Sequence, residues 1–301
     1  MTTSTTASTP ARSVSGRRVA SRSGGPRQRW TVGRAVTLLL VTVHVVLVLF
    51  PFLWMAYSSF KTQRQFIKNV WSLPTALDFS AYRTAWSGGE LLTYFRNSAI
   101  VTGGSVLLTV AVATAAGYAI SIYRPRWMPA LEIGLLMAMA IPAYVALVPL
   151  VLMLHGMGLL DSLVGLILPT AAFNVPITVF LMRSYFTTLP HELIEAGRID
   201  GASELRVFLT IAVPLARPAM FTAAIINVIW AWNDFLFPLV FINNPRRQTL
   251  AVGLTQFQGE HVTQYPVLLA AIVLSALATF IVYAVFQRQV VGGLTGGAVK
   301  Q

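Results

Sequence analysis

Cysteine is absent from this chain of 301 residues, and histidine is scarce. Without a thiol the chain has no disulfide framework, no cysteine nucleophile and no cysteine metal site. The four histidines, His44, His155, His191 and His261, lie far apart and show no metal-ligand spacing. We therefore expect no metal site and interpret each histidine as an interface or loop residue.

Charged residues are also few. They make up 11% of the chain, against about 25% in a typical soluble domain, while 55% of residues are hydrophobic and the mean hydropathy is +0.68. A sequence so poor in charge cannot cover a globule with a hydrated surface. Because the lipid bilayer tolerates apolar faces, we expect a membrane protein.

Acidic residues number only ten, against 22 Lys and Arg, so the formal net charge is +12. A nucleic-acid partner would suit this excess, but its distribution argues against one. Seven basic residues lie within residues 1–34, and the others lie between long apolar runs, which is typical of membrane topology. Residues 1–34, rich in Ser, Thr, Gly and Arg, are predicted to form a disordered cytoplasmic tail ahead of a membrane domain over residues 35–301.

Long apolar runs dominate that domain. A spanning helix needs about 20 mostly apolar residues, and six runs approach or exceed that length. We expect Pro142 and Pro149 to break the third run, and Pro169 and Pro176 to break the fourth. The prediction is an all-α membrane protein with six transmembrane helices. They lie near residues 36–57, 98–122, 130–154, 163–181, 219–242 and 267–286.

Lys and Arg also predict the orientation. With a cytoplasmic N-terminus, the inside segments hold 15 of these residues and the outside segments hold seven. This bias places both termini in the cytoplasm. Five of the seven outside residues lie between the first and second spans, in a loop long enough to form a small external substructure.

The loop between the fourth and fifth spans, about residues 187–217, has helical features of its own. Pro190 suits the first turn of a helix, and Asp200-Gly201 ends it. A second helix can run over residues 202–214. These features fit either a cytoplasmic docking element or a solvated amphipathic loop that caps the bundle, and periodicity alone leaves the two almost equal.

Three stretches of this loop resemble the EAA motif of permeases of ATP-binding-cassette (ABC) importers. That motif runs Glu-Ala-Ala, two residues, Asp-Gly-Ala, and later Ile-x-Leu-Pro. This chain has Glu195-Ala196-Gly197, Asp200-Gly201-Ala202 and Ile211-Ala212-Val213-Pro214. It departs from the motif at Val213, which replaces Leu, and at Gly197, which replaces the second Ala and weakens a helix by up to about 1 kcal/mol.

Other stretches resemble the carbohydrate-uptake branch of these permeases. The ending, residues 293–300, is similar to the tail of the second permease subunit of maltose-type importers. The likeness covers roughly residues 36–301. The stretches are Arg96-Asn97-Ser98, Met139-Ala140-Ile141-Pro142, Gly158-Leu159-Leu160-Asp161-Ser162, Ala172-Phe173-Asn174-Val175-Pro176 and Trp232-Asn233-Asp234-Phe235-Leu236-Phe237-Pro238.

The resemblance implies an ABC type I importer permease with the MetI-like fold, its core near residues 94–288, in the cell membrane. In that family two permeases pair as a heterodimer, each docks on one subunit of an ATPase dimer, and an extracytoplasmic binding protein delivers a mono-, di- or oligosaccharide. This chain has no Gly-x-x-x-x-Gly-Lys phosphate loop. ATP and Mg therefore belong to the partner ATPase, and we expect a chain that binds no cofactor and is not an enzyme.

The resemblance also assigns residues. Residues 195–202 would form the coupling helix in a cleft of the ATPase, and a charged side chain at Gly201 is expected to clash in a crowded turn. The C-terminal tail would contact the ATPase as well, or else be a frayed terminus. The predicted coupling residues are Glu195, Ala196, Gly197, Asp200, Gly201, Ala202, Ile211 and Pro214, and the predicted tail contacts are Gly293, Leu294, Thr295 and Gly296.

Asn227, Trp230 and Asn233 of the fifth span are candidates for the solute path. Amide groups and aromatic faces suit the hydroxyls and apolar ring faces of sugars. The same residues also fit an aromatic belt at the membrane interface together with helix contacts. Much of the sugar contact can come from the other permease.

Other functions remain open at this point. An ion-coupled secondary transporter would need buried ionisable groups, and His44 and Asp234 are isolated in their spans. An intramembrane enzyme would need paired catalytic groups at one depth, and no such pair is evident in the sequence. Within the ABC architecture, a polyol, a glycerophosphate or another small solute is an alternative to a sugar.

Overall fold

The computed structural model describes residues 32–88, 90–123, 126–258 and 263–298, with side chains from Gly33 as far as Phe280. All regular structure within these ranges is helical. The first half contains α1 (Val32–Ser58), α2 (Gln63–Lys68), α3 (Ser80–Arg83), α4 (Leu91–Tyr123), α5 (Met128–Ala140) and α6 (Ala143–Gly156). The second half contains α7 (Leu163–Phe186), α8 (His191–Ile199), α9 (Glu204–Val207), α10 (Val213–Asn233), α11 (Leu236–Phe241), α12 (Leu250–Gly253) and α13 (Tyr265–Ala298).

Four described helical stretches are long and apolar enough to cross a membrane. They are α1, α4, α7 and the run Glu204–Asn233, which joins α9 to α10 through a π-helical turn at Phe208–Ala212. The bent pair α5 and α6 gives a fifth span if it counts as one. In α13, the apolar stretch that is described with its side chains, Tyr265–Phe280, is by itself shorter than a span. The protein is thus an all-helical membrane protein with four to five candidate spans among its described residues.

The predicted break in the third span is confirmed at Pro142. The axes of α5 and α6 differ by 97°, and Ile141 between them is extended, with φ −78° and ψ 115°. A proline disfavours helical geometry at the residue before it, so Ile141 leaves the helix. Pro149 lies inside α6 without ending it, so the second predicted break is wrong.

The predicted breaks in the fourth span are also wrong. Pro169 and Pro176 both lie inside α7, which is one continuous helix. Neighbouring helices can satisfy the backbone groups that a proline frees in a membrane helix. Here α4 packs along α7, and Thr109 of α4 donates a hydrogen bond to the Ala171 carbonyl at 3.4 Å.

The fifth span differs from its prediction at both ends. The second helix of the 187–217 loop does not stop at Pro214 but continues into the span. At the other end the predicted continuous helix stops at Asn233, and α11 begins two residues after Asp234. The Asp234 carboxylate accepts hydrogen bonds from the backbone N–H of Leu236 at 3.1 Å and of Phe237 at 3.4 Å, and so provides an acceptor for the first N–H groups of the new helix.

The packing of α4 on α7 places the core beneath the 187–217 loop. A Cβ at Gly117 of α4 would lie 2.8 Å from Met182 Cβ and 2.9 Å from Arg183 N, so glycine permits this close approach. Phe186, at the end of α7, and Ile194, in α8, belong to the same buried cluster. The loop is therefore built onto the end of this core.

Between α1 and α4 lies a short helical substructure of α2, α3 and a π-helical turn at Thr84–Gly88. Lys61 is 1% exposed there, and its Nζ donates to the Val70 carbonyl at 2.7 Å beside the rings of Tyr57 and Phe66. Burial lowers the pKa of this ammonium. Residues 1–31, most of the predicted basic tail, lie outside the described part of the chain.

Candidate coupling site

Helix α8 and the turn that ends it carry six of the eight predicted coupling residues. The helix begins after Pro190, with Glu192 in its first turn and Arg198 in its last, so both charges suit the helix dipole. It ends in a Schellman motif, in which Gly201 N–H donates to the Arg198 carbonyl at 3.0 Å and Ala202 N–H to the Gly197 carbonyl at 3.1 Å. Gly201 has φ +78°, a conformation that favours glycine. The Asp200-Gly201 helix stop is therefore confirmed.

One face of α8 rests on the π-helical turn. Ile194 and Gly197 are buried, and a Cβ at Gly197 would lie 2.6 Å from Ile211 Cδ1 and 3.3 Å from Val207 Cγ2. The two halves of the motif, 14 positions apart in the chain, thus meet at Gly197 and Ile211. An alanine at position 197 fits only if the tip of the Ile211 side chain moves.

The other face of α8 is open. Glu195, Ala196, Asp200 and Gly201 are exposed, whereas Ala202, Ile211 and Pro214 are partly buried. A Cβ at Gly201 would meet nothing within 4 Å, so the crowding expected in this turn is absent within the chain. The predicted coupling residues therefore divide into an exposed set and a set that supports it from below.

The two most exposed large apolar residues of this loop were not predicted from the sequence. Ile199, at the end of α8, is 85% exposed, and Leu205, in α9, is 67% exposed. The sequence feature that could have identified them is a large aliphatic side chain next to a helix stop in a polar loop. They add apolar surface to the exposed end of α8 and to α9.

A shared carboxylate links this loop to α4. Arg198 donates from Nε to Glu204 Oε1 at 2.8 Å and from Nη2 to Oε2 at 3.1 Å, while the Tyr123 hydroxyl lies 2.6 Å from Oε2. The hydrogen bonds to Glu204 raise the pKa of Arg198 above its ordinary value. We call Arg198, Glu204 and Tyr123 the Glu204 clasp.

The remaining predicted site residues lie elsewhere. Asn227 is buried and donates to Thr178 Oγ1 at 3.0 Å and to the Ala223 carbonyl at 2.8 Å, whereas Trp230 and Asn233 are exposed. The backbone of Gly293, Leu294, Thr295 and Gly296 is helical within α13, and their side chains lie outside the described part of the chain.

Three polar residues from the sequence stretches converge on residues 243–250. Asn97 Nδ2 donates to the carbonyls of Arg246 and Gln248, both at 2.9 Å, and Ser98 Oγ accepts from Leu250 N–H at 2.8 Å. Asp161 accepts from the N–H groups of Asn243 at 3.1 Å and Asn244 at 2.9 Å. Their role could not be predicted from the sequence, because these hydrogen bonds are made to backbone groups.

Comparison with known proteins assigns the chain to a family. Residues 112–291 match the family of binding-protein-dependent transport system inner membrane components. This chain belongs to that family. It is therefore a multi-pass inner-membrane permease and a transport component rather than an enzyme.

Individual relatives cover nearly the whole permease. The diacetylchitobiose uptake system permease protein NgcG of Streptomyces coelicolor is 33% identical, over 88% of this chain and 89% of the relative. The melibiose/raffinose/stachyose import permease protein MelC of Bacillus subtilis is 32% identical, over 89% of this chain and 96% of the relative. A crystal structure of a bacterial ABC transporter involved in the import of the acidic polysaccharide alginate contains a chain with a TM-score of 0.75 and 26% identity, matched over 84% of this chain and 95% of that one.

Proposed function

We propose that this permease imports a sugar or oligosaccharide as one half of a heterodimer, driven by a partner ATPase dimer and supplied by an extracytoplasmic binding protein. Sugar uptake systems among its relatives support the cargo class. The exposed tip of α8, built on a buried base, is the observation that carries the coupling role.

In this mechanism, α8 transmits ATPase motion to the spans. Glu195, Ala196, Asp200 and Gly201 face the ATPase cleft, and Ile199 adds apolar contact area. Closure of the ATPase dimer around ATP draws the coupling helices together and turns the pathway from inward-open to outward-open. ATP can drive this switch because its binding favours one ATPase state, and the docked loop senses that difference.

The topology that serves this role has six spans, with α13 as the sixth and both termini in the cytoplasm. The excess of Lys and Arg in the inside segments supports it. The helical backbone of α13 reaches Ala298, so Gly293 to Gly296 extend from the sixth span toward the ATPase face. A contact between these residues and the ATPase belongs to the proposal.

For the solute path, Trp230 and Asn233 are the stronger candidates, because both are exposed on α10. Asn227 holds α10 to α7, since its donors are engaged by Thr178 and Ala223. An indole face and an amide are groups that a sugar ring and its hydroxyls can use.

A matched pair of glycine variants tests the coupling role. Gly201 and Gly158 both have positive φ, at +78° and +68°, and at both a Cβ would meet nothing within 4 Å. They lie in different loops, Gly158 between α6 and α7. Gly201→Asp and Gly158→Asp therefore introduce similar backbone strain and the same charge at different places.

In proteoliposomes that contain both permeases and the ATPase, we expect Gly201→Asp to abolish ATP-driven uptake, with Gly158→Asp retaining it at equal abundance. Labelled raffinose, a chitobiose derivative, glycerol and glycerol phosphate, each with its binding protein, serve as cargos. Normal uptake by Gly201→Asp would exclude the coupling role. Uptake of glycerol or glycerol phosphate, but of neither sugar, would mean that the cargo is a polyol or a glycerophosphate.

A further inference from the structure

We propose that Glu204 is a positioning residue that fastens the Tyr123 end of α4 to the coupling helix, so that α4 follows α8 when the ATPase moves it. The proposal rests on the proposed coupling role of α8. It assigns a function to the Glu204 clasp, which the EAA motif does not include.

The clasp joins α8 and α4 on their exposed side, above the buried cluster to which Ile194 and Tyr118 both belong. Helix α8 packs on α9 and the π-helical turn, whereas α4 packs chiefly on α7 and α10. Both oxygens of the Glu204 carboxylate are engaged, one by Arg198 alone and one by Arg198 and Tyr123 together. A forked guanidinium contact fixes the orientation of both groups, so Tyr123 meets a carboxylate held in place by α8.

Stability does not explain this arrangement. The side chains of Arg198 and Glu204 are 36% and 50% exposed, and ion pairs so open to water and salt add little to the free energy of folding. Buried contacts of Ile194 and Gly197 already hold α8 on its base. Loss of the clasp therefore leaves the loop folded and removes a link to α4.

The far end of α4 shows what this link can move. Asn97 and Ser98, near its first turns, hold the backbone of residues 243–250 and are each 2% exposed. The helix has 33 residues and so measures about 50 Å. A displacement at Tyr123 is carried along this stiff helix to a segment on the opposite side of the protein.

The absence of cysteine allows a direct measurement of this movement. Spin labels at Glu192→Cys, on the exposed side of α8, and Leu92→Cys, 59% exposed in α4, report the distance between the two helices. The distance is measured by pulsed electron paramagnetic resonance in the assembled transporter with cysteine-free partners. It is compared without nucleotide and with ATP and vanadate. Tyr123→Phe removes the hydroxyl that reaches Glu204, and Glu204→Ala removes the acceptor. Tyr185→Phe is the control, since the Tyr185 hydroxyl donates to the Leu215 carbonyl at 2.8 Å and is not part of the clasp.

With the clasp intact, we expect the same distance in both nucleotide states, because α8 and α4 move together. In Tyr123→Phe and Glu204→Ala the distance shifts by about 2 Å or more between states, the scale of helix shifts in switching proteins. Tyr185→Phe behaves as the parent. A parent distance that changes with nucleotide, or clasp variants identical to the parent, would overturn the proposal. If Gly201→Asp still blocks uptake, the coupling role of α8 survives that outcome.

Discussion

Gly197 and Ile211 show how much of the coupling site depends on single side chains. Both belong to the motif, so the sequence identifies them. Their contact could not be predicted, because it depends on a π-helical turn over 208–212 for which the sequence gives no signal. The motif has alanine where this chain has Gly197, and the sequence predicts only that the glycine weakens the helix. In the structure, the glycine leaves room for the tip of the Ile211 side chain.

A series at position 197 tests this packing. Gly197→Leu should separate α8 from the π-helical turn and lower both uptake and the apparent Tm, because the side chains of Ile211 and Val207 leave no room for a large side chain. Gly197→Ala combined with Ile211→Val should match or exceed the parent, since valine removes the Cδ1 atom and alanine adds helix propensity of up to about 1 kcal/mol. Thermal unfolding of the detergent-solubilised chain gives the apparent Tm of both variants, and the proteoliposome assay gives their uptake. A stable, active Gly197→Leu would contradict the contact.

Ile199 is the second residue with a testable role. Burial of a fully exposed isoleucine in a partner's cleft contributes about 1.5–3 kcal/mol, so Ile199→Ser should weaken ATPase binding about tenfold or more. Titration of the ATPase onto the permease heterodimer in nanodiscs measures this affinity. Ile67→Ser is the control, because Ile67 of α2 is also an exposed isoleucine, at 66%. Equal losses in the two variants would mean that Ile199 is not a docking residue.

Among whole elements, the sequence predicts the helices better than their breaks. Length and apolarity locate every long helix, because the bilayer imposes both. Proline position alone does not predict a break, since Pro169 and Pro176 are held within α7 by its packing on α4, whereas Pro142 ends α5. The stop at Asp234 depends on two backbone hydrogen bonds to one carboxylate, which no apolar pattern reveals.

The 243–250 segment depends on Asp161, which combines a φ of 57° with two backbone hydrogen bonds. Asp161→Gly permits the same backbone but removes the acceptor, and should cost about 1–3 kcal/mol. Asp161→Asn retains an oxygen acceptor and tolerates this φ, so it should cost less. Apparent Tm values rank the variants, with a difference of about 2–6 °C expected between parent and glycine. If asparagine destabilises more than glycine, backbone acceptance is not the role of this side chain.

The C-terminal end of α13 can be tested by truncation. A chain truncated after Gly292 loses the predicted tail contacts but retains the described apolar stretch Tyr265–Phe280. We expect its membrane insertion to be unchanged and its ATP-driven uptake to fall. Quantitative blotting of membranes and uptake in the same cells separate the two effects. Unchanged uptake would favour a frayed terminus.

For the whole molecule, the orientation can be read by labelling single cysteines with a membrane-impermeant maleimide. Leu77→Cys, at a position 67% exposed between α1 and α4, should react in intact cells. Asp200→Cys, exposed at the end of α8, should react only after the membrane is opened. Because the parent has no cysteine, all labelling reports the introduced residue. Reaction of Asp200→Cys from outside would exclude docking on a cytoplasmic ATPase.

The corner between α5 and α6 has a consequence for where water can go. The last four carbonyls of a helix have no partner within it, and those at the end of α5 sit at a turn of 97°. Hydrocarbon offers them no donor, so this elbow must rest against a second chain or beside a hydrated cavity. The bend at Pro142 therefore indicates where a second chain or water supplies hydrogen-bond donors within the membrane.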